Sequence, residues 1–406
     1  MKTLIIGAGP AGLMSGIISA RCGDEVTIID SNKKAGKKIY ATGNGRCNFT
    51  NMNMKNGDLY RGNPEFAAKV IRRFNNKNLI TFFNELGIIE RNIDGYIYPS
   101  SEQAASVAEK LTGEFTRLKG SLVLGQKAVD IRMTRDKKFS VFTETDFYTA
   151  DKLIIATGGL AAPVHGSDGS LNRILTKLGH SFVKQVPALV NLLYKDRKLD
   201  NLAGVRTRAG VVLKIIGNAA ANEAGEIVFT KGNISGIPVM QLSRYASYAF
   251  AEKKNVELVI DLFKDLTSEE LDERLRSAIY GPYSSGKSIY EVLSGTVNSK
   301  LLDYALRSAG IDPDKKAYTL KPQKFNDMIS AFKGLEIKIK DVGGFDKAQV
   351  TAGGIKTSEL DDNLQSKLVK NLYFAGEIID VDGTCGGYNL QWAFSSGYIA
   401  GKSGKR

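Results

Sequence analysis

The stretch Leu4-Ile5-Ile6-Gly7-Ala8-Gly9-Pro10-Ala11-Gly12, followed by the apolar run Leu13 to Ala20, decides the fold. It predicts a strand, a tight turn and a helix, with G-x-G-x-x-G at the turn. In a dinucleotide-binding unit the glycines have separate tasks: Gly7 permits the turn, Gly9 lets the backbone approach a pyrophosphate, and Gly12 lets helix and strand pack closely. The helix that opens at Pro10 and Ala11 then offers unpaired N–H groups to the phosphates.

A lone motif of this kind is weak, so its context carries the weight. A second apolar run, Glu25 to Ile29, ends at Asp30, eighteen residues after Gly12. A carboxylate there accepts hydrogen bonds from an adenosine ribose. Strand, helix, strand and acid in this order predict an α/β class, with a Rossmann-like nucleotide-binding domain.

At 406 residues and 43% hydrophobic content the chain can bury a large core, and two or three domains are expected. No window offers the run of about eighteen apolar residues that a membrane span needs. The N-terminal apolar run is too short and too rich in glycine for a signal peptide, so a cytoplasmic protein with no membrane partner is expected. Cys22, Cys47 and Cys385 form no C-x-x-C pair, and His165 and His180 lie far from them, so no zinc-ligand spacing arises and no metal is expected. The net charge of +13 attracts anions. Its lysines are scattered, with short pairs at Lys33-Lys34 and Lys37-Lys38 and no aromatic-interleaved basic stripe. A solvated surface is therefore expected in preference to a nucleic-acid interface. Oligomeric state has no signature in the sequence.

The nucleotide-binding unit is not contiguous. Strand-like runs at Leu122 to Leu124, Lys138 to Thr143 and Phe147 to Thr149 lead to Leu153-Ile154-Ile155-Ala156-Thr157-Gly158-Gly159, a buried strand delivering a glycine turn. From about Leu189 to Lys347 the pattern changes. Strand-like stretches at Arg208 to Ile216, Glu226 to Thr230 and Val256 to Phe263 surround a helical block, which opens on the capping-box pattern Thr267-Ser268-Glu269-Glu270. Further helices are expected over Ser288 to Leu293, Ser299 to Ala309 and Lys321 to Phe332. The apolar run Leu372-Tyr373-Phe374-Ala375-Gly376-Glu377 then returns to the first pattern, followed by Gly386-Gly387-Tyr388-Asn389-Leu390-Gln391 and a helix-like stretch. The expected organisation is a discontinuous nucleotide-binding domain over 1–188 and 348–406. An inserted domain of strands and helices occupies 189–347, with a helical subdomain at about 265–335.

The first motif is shared by NAD and FAD sites, and the C-terminal segment separates them. A late strand returning to a ribityl chain, and a helix start aimed at an isoalloxazine, suit FAD, whose reduced ring carries negative charge. Gly386, Gly387 and Tyr388 would supply N–H groups there, while Glu377 and Asp380 fall where ribityl hydroxyls would lie.

The run Gly36-Lys37-Lys38-Ile39-Tyr40-Ala41-Thr42-Gly43-Asn44-Gly45-Arg46-Cys47-Asn48-Phe49-Thr50-Asn51 resembles the signature loop of a bacterial FAD-dependent family related to aminoacetone oxidase and to a 3-dehydro-bile acid reductase. The segments around Ile154 to Leu160, Gly225 to Gly236, Val350 to Ile355 and Ala375 to Gly401 follow in the family's order. The resemblance implies an FAD domain, an insert of strands and helices, and an active site between insert and flavin. It implies that Gly7, Gly9, Gly12 and Asp30 hold ADP and that Gly43, Gly45, Arg46, Cys47 and Asn48 line the cofactor loop. Gly158, Gly159, Gly376, Glu377, Asp380, Gly387, Asn389 and Leu390 complete the site. Pro10, Ala11, Ser31, Lys38, Thr42, Ala128, Val129, Ala156, Thr157 and Tyr388 are placed with them as cofactor contacts.

Two departures from the family pattern bear on catalysis. Where members often carry a histidine after Phe-Thr in the insert, this chain has Lys231, and the segment around His165 is shortened. Lys231 could contact substrate or serve as a desolvated acid, and its plainer reading is a solvated loop lysine. Tyr388 and His165 could also reach a substrate, as could Tyr40, yet each residue type more often packs or hydrogen-bonds. Cys47 and Cys385 fall in two cofactor loops and could meet as a redox pair, although packing is the default. Cys22 reads as core and His180 as a helix cap.

Hydride chemistry belongs to the flavin, with the protein supplying orientation and electrostatics. The leading expectation is hydride transfer between flavin and a small unsaturated or oxo organic substrate, with NAD(P)H as a transient donor. The alternatives are an amine oxidase of the aminoacetone type, an RNA-associated flavoprotein suggested by the charge, and a flavin sensor without turnover.

Overall fold

The computed structural model describes residues 1–54 and 59–404. Two compact units arise: Met1–Val186 with Gln349–Arg406, and Pro187–Ala348.

In the first unit β1 (Lys2–Ile6), α1 (Pro10–Arg21) and β2 (Glu25–Asp30) form the predicted strand, helix and strand. With α2 (Ala104–Arg117), β3 (Ser121–Leu124), β4 (Lys152–Ile155), β5 (Leu372–Phe374) and α3 (Tyr388–Lys402) they make a doubly wound core, whose parallel sheet has the order β5-β4-β1-β2-β3. Sheet strands covered on both faces need continuous apolar runs rather than alternation. Leu4, Ile5, Ile6, Ile28, Ile29, Leu153, Ile154 and Ile155 accordingly lie in one buried cluster.

Small residues bring the two chain ends together. A Cβ on Gly397 would come within 2.5 Å of Ala11 O, and one on Gly401 within 2.7 Å of Ser15 O, so α3 lies almost backbone-to-backbone on α1. Ser15 Oγ donates to Gly397 O (3.0 Å) and Ser19 Oγ to Gly401 O (3.0 Å) across this seam. The end of α3 is closed by Lys152, fully buried at the start of β4. Its Nζ donates to Gly401 O (3.1 Å) and Ser403 O (2.5 Å), where a cation complements the last helix carbonyls. Burial lowers this ammonium to about 8, against a smaller upward pull from Asp24.

In the second unit, six strands close into a barrel in the order Leu192–Tyr194, Asn233–Ser235, Asn218–Thr230, Arg206–Ile215, Val256–Asp261, Leu335–Val342. Leu335, Ile337 and Ile339 alternate inward, the pattern of a half-buried strand. The helices Ser268–Tyr280, Ile289–Leu293, Ser299–Ser308 and Pro322–Lys333 share a core with the barrel. The predicted capping box is formed: Glu270 N donates to Thr267 Oγ1 (3.1 Å) and Thr267 N to Glu270 Oε2 (2.8 Å). One strand is far longer than its sequence suggests. Glu226 to Thr230 is the end of Asn218–Thr230, whose small and polar first half is held by ladder hydrogen bonds to Arg206–Ile215 and by the two-residue turn Ile216-Gly217.

Candidate cofactor site

Each glycine of the first loop meets a different environment. Gly7 has φ 107°, and a Cβ there would lie 2.4 Å from Ala156 O. On Gly12 it would lie 1.8 Å from Gly7 O, whereas on Gly9 it would meet no heavy atom within 4 Å. Gly7 and Gly12 are therefore demanded by the fold and Gly9 is not, which leaves an open face where a ligand backbone would approach. Asp30 Oδ2 accepts from Ala8 N (2.6 Å), while Oδ1 accepts from Asn32 N (2.7 Å) and Asn32 Nδ2 (3.0 Å). The carboxylate expected at the ribose thus already braces the turn, with about one of its four lone-pair positions left for a ligand.

The signature loop is folded by left-handed residues: Gly43 and Asn44 at φ 55° and Cys47 at φ 60°. The Arg46 guanidinium stacks 4.8 Å from the Tyr98 ring centroid. Thr42 Oγ1 donates to Ile39 O (2.6 Å), closing the preceding helical turn. Burial pushes the Cys47 thiol up to about 12, and burial also raises that of Cys385, so neither forms a thiolate readily at neutral pH. All three cysteines are free. Cys22, expected in the core, instead caps the C-terminus of α1 and is only half-buried, because the helix ends one residue before it.

The Asn48 to Asn51 end of this loop meets the C-terminal glycines, with Asn51 Nδ2 donating to Gly386 O (3.0 Å). Asn48 Oδ1 is buried with no hydrogen-bond partner among the described residues, and it lies 2.8 Å from where a Gly387 Cβ would be. Gly387 (φ 91°) is the N-cap of α3 and, like Gly9 before α1, provides no side-chain cap. Two long helices therefore present uncapped N-termini, one beside an open glycine face and one beside an orphaned acceptor. A pyrophosphate suits the first and a hydrogen-bonding ring or ribityl chain the second, so these residues fit FAD.

Other expected contacts divide into neighbours of this site and framework. A Cβ on Gly376 would touch the Ala11 side chain at 2.9 Å, which places the turn after β5 beside the first loop. Glu377 Oε2 accepts from Lys38 Nζ (2.8 Å) and Oε1 from Thr351 N (2.9 Å), while Thr351 Oγ1 accepts from Leu160 N (2.7 Å) and Ala161 N (2.9 Å). Lys38, Glu377 and Thr351 thus tie together the loops after β4 and β5, next to Gly158 and Gly159. Thr351 lies in the strand Val350–Ile355, and nothing in the residues around it signals this bracing role. Asp380 N donates to Ile355 O (3.0 Å). Asn389 holds the preceding loop through Gly383 N (2.7 Å) and Gly383 O (2.9 Å), and Leu390 is half-buried beside it. Pro10, Ala156 and Thr157 flank the glycine turns. Ser31 is exposed, as is Val129 on the strand Ala128–Met133, where Ala128 is buried.

The three side chains singled out for catalysis have unequal freedom. Tyr388 is buried and its hydroxyl donates to Asn53 O (2.9 Å), with burial raising its pKa. His165 is half-buried with Nδ1 unpartnered among the described residues, and burial, Lys37 and Lys38 lower its pKa. Lys231 lies exposed in the turn between Asn218–Thr230 and Asn233–Ser235.

His180 closes the helix Asn172–Lys177 through its backbone, N donating to Leu175 O (3.1 Å), while its ring turns inward: Nδ1 pairs with Glu359 Oε2 (2.8 Å) and Nε2 with Ser366 Oγ (3.0 Å). Ser366 Oγ already accepts from Leu368 N (3.0 Å) and Val369 N (2.8 Å), so its proton goes to Nε2 and the histidine donates from Nδ1. The order is that of a catalytic triad, but His180 and Ser366 are only 1% and 3% exposed, so this Ser–His–Glu chain is structural. Among the described residues no group of three His, Cys, Asp or Glu is placed to hold a metal, and no helix is long and apolar enough to cross a membrane.

Residues 1–403 match the HI0933-like protein Rossmann domain family. The chain belongs to this family. It is 38% identical over 403 residues to the 3-dehydro-bile acid delta(4,6)-reductase of Clostridium scindens, covering 98% of each chain. It is 29% identical over 409 residues to the ribosomal RNA dihydrouridine synthase of Haemophilus influenzae, covering 99% of this chain and 98% of that one. The solved 3-ketosteroid delta1-dehydrogenase of Sterolibacterium denitrificans shares the fold with a TM-score of 0.50 at 10% identity, covering 98% of each chain. The protein is an oxidoreductase of the FAD-dependent, Rossmann-type flavoproteins.

Proposed function

We propose that the protein reduces a carbon–carbon double bond conjugated to a carbonyl in a small organic molecule, with NAD(P)H as electron donor. The observation that carries this reading is the end-to-end similarity to a 3-dehydro-bile acid delta(4,6)-reductase, an enzyme named for an unsaturated oxo compound. FAD held in the site would supply the hydride chemistry, with a nicotinamide as the source of its electrons. Gly7, Gly9, Gly12 and the start of α1 hold its pyrophosphate, and Asp30 orients the ribose. Asn48 and the N–H groups at Gly387 receive the ring end, where the positive end of α3 favours accumulated negative charge. The substrate gains hydride at the carbon β to its carbonyl and a proton at the α carbon. Tyr388 is committed to Asn53, and burial with Lys37 and Lys38 disfavours the protonated form of His165, so neither is assigned as the donor of that proton, which solvent can supply.

A second reading has two observations in its favour. Dihydrouridine is uridine reduced at a double bond conjugated to a carbonyl, and a dihydrouridine synthase matches the chain over its whole length. The charge of +13 would attract RNA. The deciding experiment gives purified protein and NADPH or NADH either a conjugated enone or unmodified ribosomal RNA, and measures the saturated product by mass spectrometry. Turnover of free enones supports the first reading. A mass gain confined to uridine in RNA transfers the function to the second, and peroxide formed from an amine without nicotinamide contradicts both.

A further inference from the structure

Asn172, the first residue of the helix Asn172–Lys177, and Gln185, on the strand Phe182–Ala188, form a side-chain amide pair in which Asn172 Nδ2 donates to Gln185 Oε1 (2.7 Å). The remaining amide atoms, Asn172 Oδ1 and Gln185 Nε2, are buried with no partner among the described residues. Turning both amides over leaves the same remainder, one donor and one acceptor, so the conclusion does not depend on which amide atom is oxygen and which nitrogen. Leaving two such groups buried and unpaired is costly, and a pair offering one of each is complementary to a group with an N–H beside a C=O.

The pair stands next to the cofactor loops of the first unit. A Cβ on Gly169 would come within 2.4 Å of the Leu160 side chain and 3.2 Å of Asn172 Nδ2, and Leu160 is the residue after Gly158-Gly159. On the other side a Gly353 Cβ would lie 3.0 Å from Gln185 Cα, and Gly353 belongs to the strand that carries Thr351. Both loops lead to Glu377 and Lys38.

We infer that Asn172 and Gln185 form a recognition site for an imide edge, an N–H flanked by carbonyls, with one amide accepting from the N–H and the other donating to a carbonyl. Two molecules present this edge: the pyrimidine ring of the flavin and a uracil-type substrate. The inference rests on the flavoprotein assignment but not on which double bond is reduced.

The test uses probes whose N–H is methylated. Protein freed of flavin is titrated with FAD and with N3-methyl-FAD, and flavin-loaded protein with uridine and N3-methyluridine, with fluorescence quenching and calorimetry as readouts. Wild-type protein should prefer the N–H form of one probe by about tenfold, the effect of one lost buried hydrogen bond. That preference should disappear in Asn172→Leu and Gln185→Leu. A preference for FAD assigns the edge to the cofactor, and one for uridine assigns it to the substrate. Should the leucine variants fail to fold, Asn172→Ala and Gln185→Ala delete the same amides and should lose the same preference. Equal binding of both forms of both probes, or a preference that survives in every variant, overturns the inference. Protein that binds neither form of FAD overturns the flavoprotein assignment as well.

Discussion

Two glycine turns in this molecule differ in what they answer to. At Gly7 to Gly12 the backbone is packed so closely that a methyl group on Gly12 would penetrate the Gly7 carbonyl, while Gly9 faces open space. At Ile216-Gly217, the tip of the long barrel hairpin, Gly217 has φ 77° and nothing within 4 Å of a Cβ. The first turn is constrained by packing and by a ligand, the second only by its own dihedral angles. Gly9 has no steric or dihedral demand of its own, and its place at the uncapped start of α1 is what suits it to a bound phosphate.

The largest effect should come from Gly12→Ala. Forcing a Cβ to 1.8 Å from a carbonyl oxygen costs about 3 kcal/mol or more, because helix and strand must separate. Flavin absorbance per protein and thermal unfolding should both be lost, and a variant with wild-type values would break the packing half of the comparison. Gly9→Ala should do the reverse. The flavin-free protein should melt as wild type does, yet its FAD dissociation constant should rise about tenfold, ~1.4 kcal/mol. Unchanged affinity would show that Gly9 faces no ligand.

A pH experiment sharpens the contrast from the side of the framework. A hydrogen bond from Arg117, aided by Arg21 and opposed by burial, holds Glu114 below its ordinary range, tying α2 to α1. The carboxylate is therefore stabilised at neutral pH, and its contribution disappears as pH falls through the lowered folded value. Glu114→Gln should remove about 1 kcal/mol at pH 7, discounted because both arginines reach solvent, and little in strong acid. A variant whose deficit is the same at both ends would contradict the pairing. Gly217→Ala should have the smallest effect, about 1 kcal/mol for a left-handed alanine, with FAD affinity unchanged in a titration.

The same contrast explains what could be read from the chain. The sheet strands were legible because strands covered on both faces need unbroken runs such as Leu153 to Ile155, and α1 because glycines punctuate its start. The capping box at Thr267 was legible because its bonds are local. The first half of Asn218–Thr230 was not, since small exposed residues carry no periodicity and only the partner strand keeps them extended. Asp30 ends its strand and Glu377 follows its own, but their bonds to Ala8, Asn32, Lys38 and Thr351 come from distant or backbone donors that residue identity does not reveal. The helix end at His180 is legible from Leu178-Gly179, and its N–H closes that end on Leu175 O, but the ring partners Glu359 and Ser366 lie far along the chain and leave no local signal.

We propose that this chain passes electrons from a nicotinamide through FAD to a conjugated double bond. The most direct test is an anaerobic stopped-flow trace of the flavin-loaded protein, mixed first with NADPH or NADH and then with an enone. The account predicts rapid bleaching of the flavin bands by a nicotinamide and their return when the enone is added. Flavin that stays oxidised with both nicotinamides, or is bleached by aminoacetone alone, would contradict it.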